Sequence, residues 1–134
     1  MQMTENEKVI RQLYEITSQH DQGFAAQVQA LLTLGCERFG LDIGILSRID
    51  GDVYRVVHQV SPKDVPLEDE ATFDPAETYC SLTLQADGPL GIEHMAESEF
   101  NTHPAYDAFK LEAYIGIPLT VDGKRYGTLN FSSP

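Results

Sequence analysis

The chain has 134 residues, an apolar content of 42% and a formal net charge of -12, which fits one folded domain with a single core. A surface this acidic repels nucleic acid and anionic lipid, so we expect no nucleic-acid partner and no membrane partner. The two cysteines, Cys36 and Cys80, form no C-x-x-C pair, which argues against a disulfide framework and a structural zinc site.

Two amphipathic helices are predicted at the start of the chain, over residues 4–39. The first begins at a capping box in which Thr4 is the cap and Glu7 lies three residues later. Its apolar stripe comprises Val9, Ile10, Leu13 and Tyr14. The second helix follows a break at residues 20–23 and ends at Gly40. Its apolar face comprises Phe24, Val28, Leu31, Leu32, Gly35 and Phe39.

Alternating apolar residues and two Asp-Gly turns predict an antiparallel sheet within residues 42–134. The first hairpin turns at Asp50-Gly51, and the second turns at Asp122-Gly123. In the strand over residues 53–60, one face is assigned Tyr54, Val56 and Val60. Six residues are expected to be buried in the sheet: Ile43, Ile45, Ile115, Ile117, Leu129 and Phe131.

The middle of the chain is predicted to contain short elements. Residues 61–77 form an acidic, proline-containing loop, residues 78–85 a short helix and residues 90–95 a strand. A further short helix is expected from Pro104 to Leu111, because proline suits the first turn of a helix. The order of these elements indicates an α+β domain, with helices packed on one antiparallel sheet.

Three parts of the sequence follow one another in a distinctive order: CERFGLDIGILS at residues 36–47, ETYCSLT at residues 77–83, and a closing half with HPAY, YIGIPL and YGTLNF between residues 103 and 131. Together they resemble GAF domains of bacterial signalling proteins, of the sensor histidine kinase and cyclase type. The resemblance implies a central antiparallel sheet of five or six strands. It places N-terminal helices on one face and a pocket formed by short helices and loops on the other. Residues 1–134 would then be one GAF-like domain.

The resemblance implies a non-catalytic sensory domain that binds a small ligand, or mediates dimerisation, and controls an output module such as a histidine kinase or a cyclase. The implied ligand-binding residues are Tyr79, Cys80, Thr83, His94, His103 and Tyr106. The ligand itself is unknown. No covalent bilin is expected, because residues 100–106 lack the cysteine that bilin-binding members carry.

Two other functions stay open at this point. Cys80 could serve a small thiol-dependent redox enzyme, although the nearest charges in sequence, Glu77 and Asp87, do not favour a thiolate. The domain could also be a purely structural dimerisation module without a ligand. His103 could either bind a ligand or cap the helix at Pro104. His94 and His103 lack a third ligand, so no metal site is expected, and no catalytic motif is found.

The location and assembly of the protein are also predicted. No apolar run is long enough to span a membrane and no signal peptide opens the chain, so we expect a cytoplasmic protein. The family normally continues into a long C-terminal helix, which this sequence lacks after Ser133-Pro134, so we expect an excised domain. The stripe on the first helix would then lose its cover, which predicts a homodimer through that helix.

Overall fold

The computed structural model describes residues 4, 7–8, 11, 23–63 and 70–134, except for the side chains of residues 107–109. Residues 7, 8 and 11 are helical. The Thr4 hydroxyl accepts a hydrogen bond from the Glu7 amide at 3.2 Å, so the predicted helix start is confirmed. The predicted stripe of Val9, Ile10, Leu13 and Tyr14 lies outside the described residues.

The first helix with described ends, α1, spans Phe24–Phe39 and matches the second predicted helix. It buries Val28, Leu32 and Leu34. The helix ends where Gly40 adopts a φ of 70°, a left-handed conformation that costs glycine little. Gly35 has a packing role, because a Cβ atom there would overlap the Phe131 ring.

The centre of the domain is a six-stranded sheet of order β3-β2-β1-β6-β5-β4, in which every neighbouring pair is antiparallel. The strands are β1 (Ile43–Asp50), β2 (Val53–Val60), β3 (Thr72–Phe73), β4 (Leu90–Ile92), β5 (Ala113–Val121) and β6 (Lys124–Ser133). Two short helices, α2 (Cys80–Ala86) and α3 (Pro104–Phe109), and two 3-10 turns, Pro75–Glu77 and Met95–Glu97, complete the fold. The predicted α+β class is confirmed.

Helix α1 lies on one face of the sheet, and helices α2 and α3 lie on the other. On the α1 face, Val28 and Leu32 pack against Leu46 of β1 and Phe131 of β6. On the α2 face, Cys80 packs with Tyr54 and Val56 of β2, together with Ile45 of β1. Leu46 and Ile45 are neighbours in one strand and therefore point to opposite faces. Next to α3, a third cluster contains Tyr79, Leu82, Ile92, Met95, Ala105 and Tyr114.

Both predicted hairpins are present, but the first one turns at Gly51 and Asp52, because Asp50 still pairs with Val53. Gly51 joins β1 to β2 with a φ of 56°, and Asp122 and Gly123 join β5 to β6 with φ values of 52° and 76°. Positive φ at a two-residue turn matches the twist of the flanking strands. Of the six residues expected to be buried, Ile43 and Phe131 are buried. The other four are half-buried: Ile45, Ile115, Ile117 and Leu129.

The predicted face of β2 is wrong for Val60. Ser47 pairs with Val56 and Leu46 pairs with His58, so Val57 has no partner and forms a β-bulge. The extra residue reverses the alternation of side chains. Tyr54 and Val56 consequently lie on the α2 face, whereas Val60 packs against the cluster on the α1 face.

The middle elements are shorter than predicted. The helix expected over residues 78–85 begins at Cys80, and the helix expected to reach Leu111 ends at Phe109, where Lys110 has a φ of 54°. The strand expected over residues 90–95 ends at Ile92, and Met95 begins a 3-10 turn instead. Within the predicted acidic loop, β3 pairs with β2 through two residues only. A strand this short leaves no periodic pattern in the sequence.

Candidate ligand-binding site

Five of the six predicted ligand-binding residues lie together beneath α2 and α3, on the α2 face. Tyr79, Cys80 and Thr83 are buried, while His103 and Tyr106 are half-buried. The ring centroids of Tyr79 and His103 are 6.4 Å apart, and Tyr106 packs against the cluster that contains Tyr79. The sixth residue, His94, is exposed.

Helix α2 is held at both ends. Before it, the Asp74 carboxylate accepts a hydrogen bond from the Ala76 amide at 3.0 Å and caps the 3-10 turn that leads into the helix. At its end, Asp87 adopts a φ of 52° and closes the helix. Arg125 of β6 donates to the Leu84 carbonyl at 3.0 Å and to the Asp87 carboxylate at 2.7 Å. These contacts fix the position of Cys80 and Thr83 over the sheet.

A buried array of polar side chains connects α2 to β1 and β6. The Cys80 thiol lies 2.9 Å from the Thr128 hydroxyl, which is 2.7 Å from the Ser47 hydroxyl. The Asn130 amide nitrogen donates to Thr128 Oγ1 at 3.1 Å and to Cys80 Sγ at 3.4 Å. All four side chains are at most 3% exposed. We call these four residues the polar array.

The array continues through a pair of hydroxyl groups. Thr83 Oγ1 lies 2.7 Å from the hydroxyl of Tyr114, whose ring stacks edge-on against Tyr79 at 5.4 Å. Gly116 makes room for this pair, because a Cβ atom there would lie 2.6 Å from Thr83 Oγ1. The Tyr79 hydroxyl donates to the Leu111 carbonyl at 2.7 Å. Burial raises the pKa of Tyr79 to about 12, so this phenol stays neutral and remains a donor.

The environment of Cys80 does not favour thiol chemistry. Burial raises the pKa of the Cys80 thiol, and hydrogen bonds from Thr128 and the neighbouring phenols offset this only in part. A nucleophilic thiol instead needs positive charge that lowers its pKa. Cys80 is 2% exposed. The side chain therefore behaves as a buried polar packing group.

His103 caps α3, which was one of its two predicted roles. Its Nδ1 atom accepts a hydrogen bond from the Ala105 amide at 3.0 Å. The neutral ring must therefore carry its proton on Nε2, which lies 2.9 Å from the Ser81 hydroxyl. Ser81 in turn donates to the Thr78 carbonyl at 2.9 Å. A general base would need Nε2 to accept the serine proton, so this Ser–His pair has the wrong tautomer for nucleophilic catalysis.

Glu112 is a contact residue that the sequence did not reveal. The Tyr106 hydroxyl donates to its carboxylate at 2.5 Å, and the Ala96 amide donates to the other carboxylate oxygen at 2.9 Å. These two hydrogen bonds lower the pKa of Glu112, the bond from Tyr106 most of all. Glu112 thus links α3 to the Met95–Glu97 turn, at the start of β5.

The polar array was also missed. Ser47, Thr128 and Asn130 alternate with apolar residues along β1 and β6, a pattern that usually indicates a strand with one solvated face. Here that second face is covered by α2. The signal that could have revealed this is the mid-chain helix itself, because a helix predicted between two hairpins must cover one face of their sheet.

Comparison with known proteins identifies the family. Residues 24–134 match the family model described as the GAF domain. The chain belongs to the GAF domain family. A search of curated protein sequences finds no match. The match agrees with the observed sheet, and GAF domains form a regulatory and sensory fold family.

Solved structures show the same GAF fold. The GAF domain of a phosphoenolpyruvate-protein phosphotransferase from Acinetobacter has a TM-score of 0.71 at 13% identity, over 98% of this chain and 78% of that chain. The free methionine-R-sulfoxide reductase from Neisseria meningitidis, solved with its substrate, has a TM-score of 0.69 at 14% identity, over 96% of this chain and 72% of that one. The chromophore-binding domain of Stigmatella aurantiaca phytochrome P1 has a TM-score of 0.73 at 12% identity. The match covers 99% of this chain and 54% of that chain.

None of the helices in the part of the GAF domain that the structure describes is long and apolar enough to cross a membrane. Within the same residues, no three His, Cys, Asp or Glu side chains come close enough together to hold a metal ion.

Proposed function

We propose that this GAF domain is a non-catalytic sensory module that binds a small polar ligand on the α2 face and controls an output module such as a histidine kinase or a cyclase. The observation that carries the proposal is the polar array beneath α2. A core built only for stability is apolar, because each buried polar group must find a partner. Four such groups, joined to Thr83 and Tyr114, are donors and acceptors that would exchange their mutual hydrogen bonds for bonds to a polar ligand.

The predicted ligand-binding residues also lie on the α2 face, apart from the exposed His94. Tyr79, Cys80 and Thr83 would form the wall of the binding site, and His103 and Tyr106 would lie on the segment that covers it. His94, which is exposed, would contact a ligand only at the rim. Two of the structurally similar proteins are described as holding a small molecule, a sulfoxide substrate in one and a chromophore in the other. Their fold supports a ligand on this GAF domain without indicating which one.

A non-catalytic role is favoured over the thiol-dependent enzyme. The raised pKa and burial of Cys80 disfavour a thiolate. The tautomer of His103 disfavours a serine nucleophile at Ser81. Free methionine sulfoxide and a thiol reductant should therefore show no turnover with the protein, and Cys80→Ser should behave like the unmodified chain. Turnover that Cys80→Ser abolishes would replace this proposal with the enzyme.

Native mass spectrometry of freshly purified protein tests ligand binding. We expect a bound small molecule in the unmodified protein, and less of it in Thr83→Val, which removes a hydroxyl from the wall at constant volume. Thr33→Val is the matched control, because Thr33 is exposed on α1 and its hydroxyl donates to the Gln29 carbonyl of its own helix. Cyclic AMP, cyclic GMP, haem, biliverdin and methionine sulfoxide serve as added probes.

A ligand-free structural module is the second candidate function. It is favoured by one observation: every buried side-chain nitrogen and oxygen of the described residues has a hydrogen-bond partner within the protein. A protein with no bound molecule, and no change in melting temperature with any probe, would favour this candidate over the sensor.

A further inference from the structure

His103 joins two helices through hydrogen bonds of opposite direction. Its Nδ1 atom accepts from the Ala105 amide in the first turn of α3, and its Nε2 atom faces the Ser81 hydroxyl of α2. Ser81 passes the chain of hydrogen bonds on to the Thr78 carbonyl. One imidazole thereby caps α3 and docks it on α2.

Only the neutral ring can make both contacts. In the imidazolium form both ring nitrogens are donors, so Nδ1–H would face the N–H of Ala105 at the present distance of 3.0 Å. The cap would be replaced by two opposed donors. Because α3 has only six residues, it has little helical stability of its own to offset that loss.

We propose that His103 is a pH-sensitive latch, which docks α3 on α2 in its neutral form and releases α3 when it is protonated. The latch works with or without a bound ligand and is therefore separate from the proposed sensory function. Release of α3 would expose the ring of Tyr79, which lies against His103.

The pKa of His103 is altered by its burial and not by a neighbouring charge. Burial lowers the pKa of His103 from its ordinary value of 6.5. The titratable residues on the elements packed against it are Tyr79 and Cys80 at the start of α2, and Glu77 in the 3-10 turn. Tyr79 stays neutral, with a pKa of about 12, and Glu77 is exposed. Helix α3 itself carries Tyr106 and, in its sequence, Asp107.

The second contact that holds α3 does not change in the same pH range. Tyr106 donates to Glu112, whose lowered pKa keeps the carboxylate ionised where histidine titrates. The latch at His103 is thus the contact between α3 and its surroundings that responds near neutral pH, among the hydrogen bonds described above.

Because the pKa of His103 is lower in the folded protein than in the unfolded chain, protonation of this residue destabilises the fold. The unfolded chain takes up the proton first as the pH falls below 6.5, so the folded state loses stability from there down to the folded pKa of His103. Between these two pKa values, unfolding is accompanied by the uptake of up to one proton at His103. The unfolding constant therefore rises by up to about tenfold per pH unit from this group.

Urea unfolding as a function of pH tests the latch, with His103→Asn as the decisive variant. Asparagine is a preferred helix cap but does not titrate near neutral pH. We expect the loss of stability below pH 6.5 to be smaller in His103→Asn than in the unmodified protein. His58→Asn is the matched control, because it also removes one histidine but lies on β2 against Phe24. It should keep the full pH dependence.

The unmodified protein provides an independent measurement if His103→Asn does not fold. Nitrogen-15 NMR of the ring should show a proton on Nε2 above the pKa. The protection factor of the Ala105 amide, which compares its exchange rate with the intrinsic rate at the same pH, should fall when His103 is protonated. A proton on Nδ1, an Ala105 amide indifferent to the titration, or an unchanged pH dependence in a folded His103→Asn would each overturn the proposal.

Discussion

The reactivity of the Cys80 thiol is determined by the residues around it. Its thiol is surrounded by the hydroxyl of Thr128 and the amide of Asn130, and burial outweighs these hydrogen bonds in setting its pKa. Cys36 differs in position, because it is half-buried beside the α1 face, although burial and the carboxylate of Asp42 also raise its pKa. Access to the thiol, more than its pKa, therefore separates the two cysteines.

This difference predicts selective labelling of the native protein. Iodoacetamide should modify Cys36 first, and Cys80 should react at a comparable rate only after unfolding in urea, because its sulfur is shielded. Peptide mass spectrometry over a time course measures both rates. Cys36→Ser is the control and should remove the fast phase. Rapid labelling of Cys80 in the folded protein would contradict the structure at this site.

Gly116 is the second residue whose role is defined by close contact. The Gly116→Ala change would place a methyl group against the hydroxyls of Tyr114 and Thr83, both of which are buried and fixed by their mutual hydrogen bond. We expect a loss of about 1–3 kcal/mol in the free energy of unfolding, as for other overpacked cores. Urea denaturation measures it, and Gly91→Ala is the control, since a Cβ there meets no atom within 4 Å. Equal stability of the two variants would be inconsistent with this packing.

At the scale of elements, the strongest sequence signals were the local ones. The two hairpin turns, the glycine end of α1 and the proline start of α3 each depend on one or two residues with special backbone preferences. Each was predicted, although the first turn lies one residue later than expected, at Gly51-Asp52. The bulge at Val57 was not, because it depends on pairing with β1 rather than on the residue itself.

The candidate site was less predictable than the fold for the same reason. Tyr79, His103 and Tyr106 were brought together as expected from the family resemblance. The hydrogen-bond partners of Tyr79 and Tyr106, which are Leu111 and Glu112, lie in a segment with no periodic pattern. These hydrogen bonds depend on how α3 packs against the sheet. That packing cannot be predicted directly from a single sequence.

The link between α3 and Glu112 gives a prediction at this scale. Tyr106→Phe removes the phenol that lowers the pKa of Glu112, so that pKa should rise toward its ordinary value. A carboxylate with a lowered folded pKa adds stability above its unfolded pKa and loses that stability as the pH falls through the folded value. The stabilisation that Glu112 provides near neutral pH should therefore shrink. Carbon-13 NMR titration measures the change, and an unaltered Glu112 titration would refute the link.

At the scale of the whole molecule, charge and apolar surface oppose each other. The chain carries a net charge of -12, which disfavours self-association. Among the described residues, four large apolar side chains are nevertheless exposed: Phe24, Phe39, Val53 and Val121. On the α1 face, Ile115, Ile117 and Leu129 are only half-buried. Burial of such surface contributes about 25 cal/mol for each Å² removed from water.

We therefore propose a homodimer whose affinity rises with salt. Between about 0.01 M and 1 M salt the Debye length falls from about 30 Å to about 3 Å, so repulsion between two acidic copies is screened while apolar contact is retained. Light scattering across this range should show a growing dimer fraction. Ile10→Asp combined with Leu13→Asp should abolish it, since the first helix is the proposed interface. A monomer at every salt concentration would exclude the dimer.

The bulge at Val57 has a consequence for how this domain tolerates changes in chain length. Residues of β2 before the bulge serve the core under α2, and those after it serve the core under α1. Deleting Val57 would remove the extra residue, so that Ser47 and Leu46 keep Val56 and His58 as partners and the side chains of β2 stay on their present faces. Inserting one residue after the bulge would instead turn Val60 away from the α1 face. This strand should therefore accept a single deletion at the bulge but not a single insertion after it, and a change of one residue in the two-residue turn at Gly51-Asp52 would shift the register of β1 and β2.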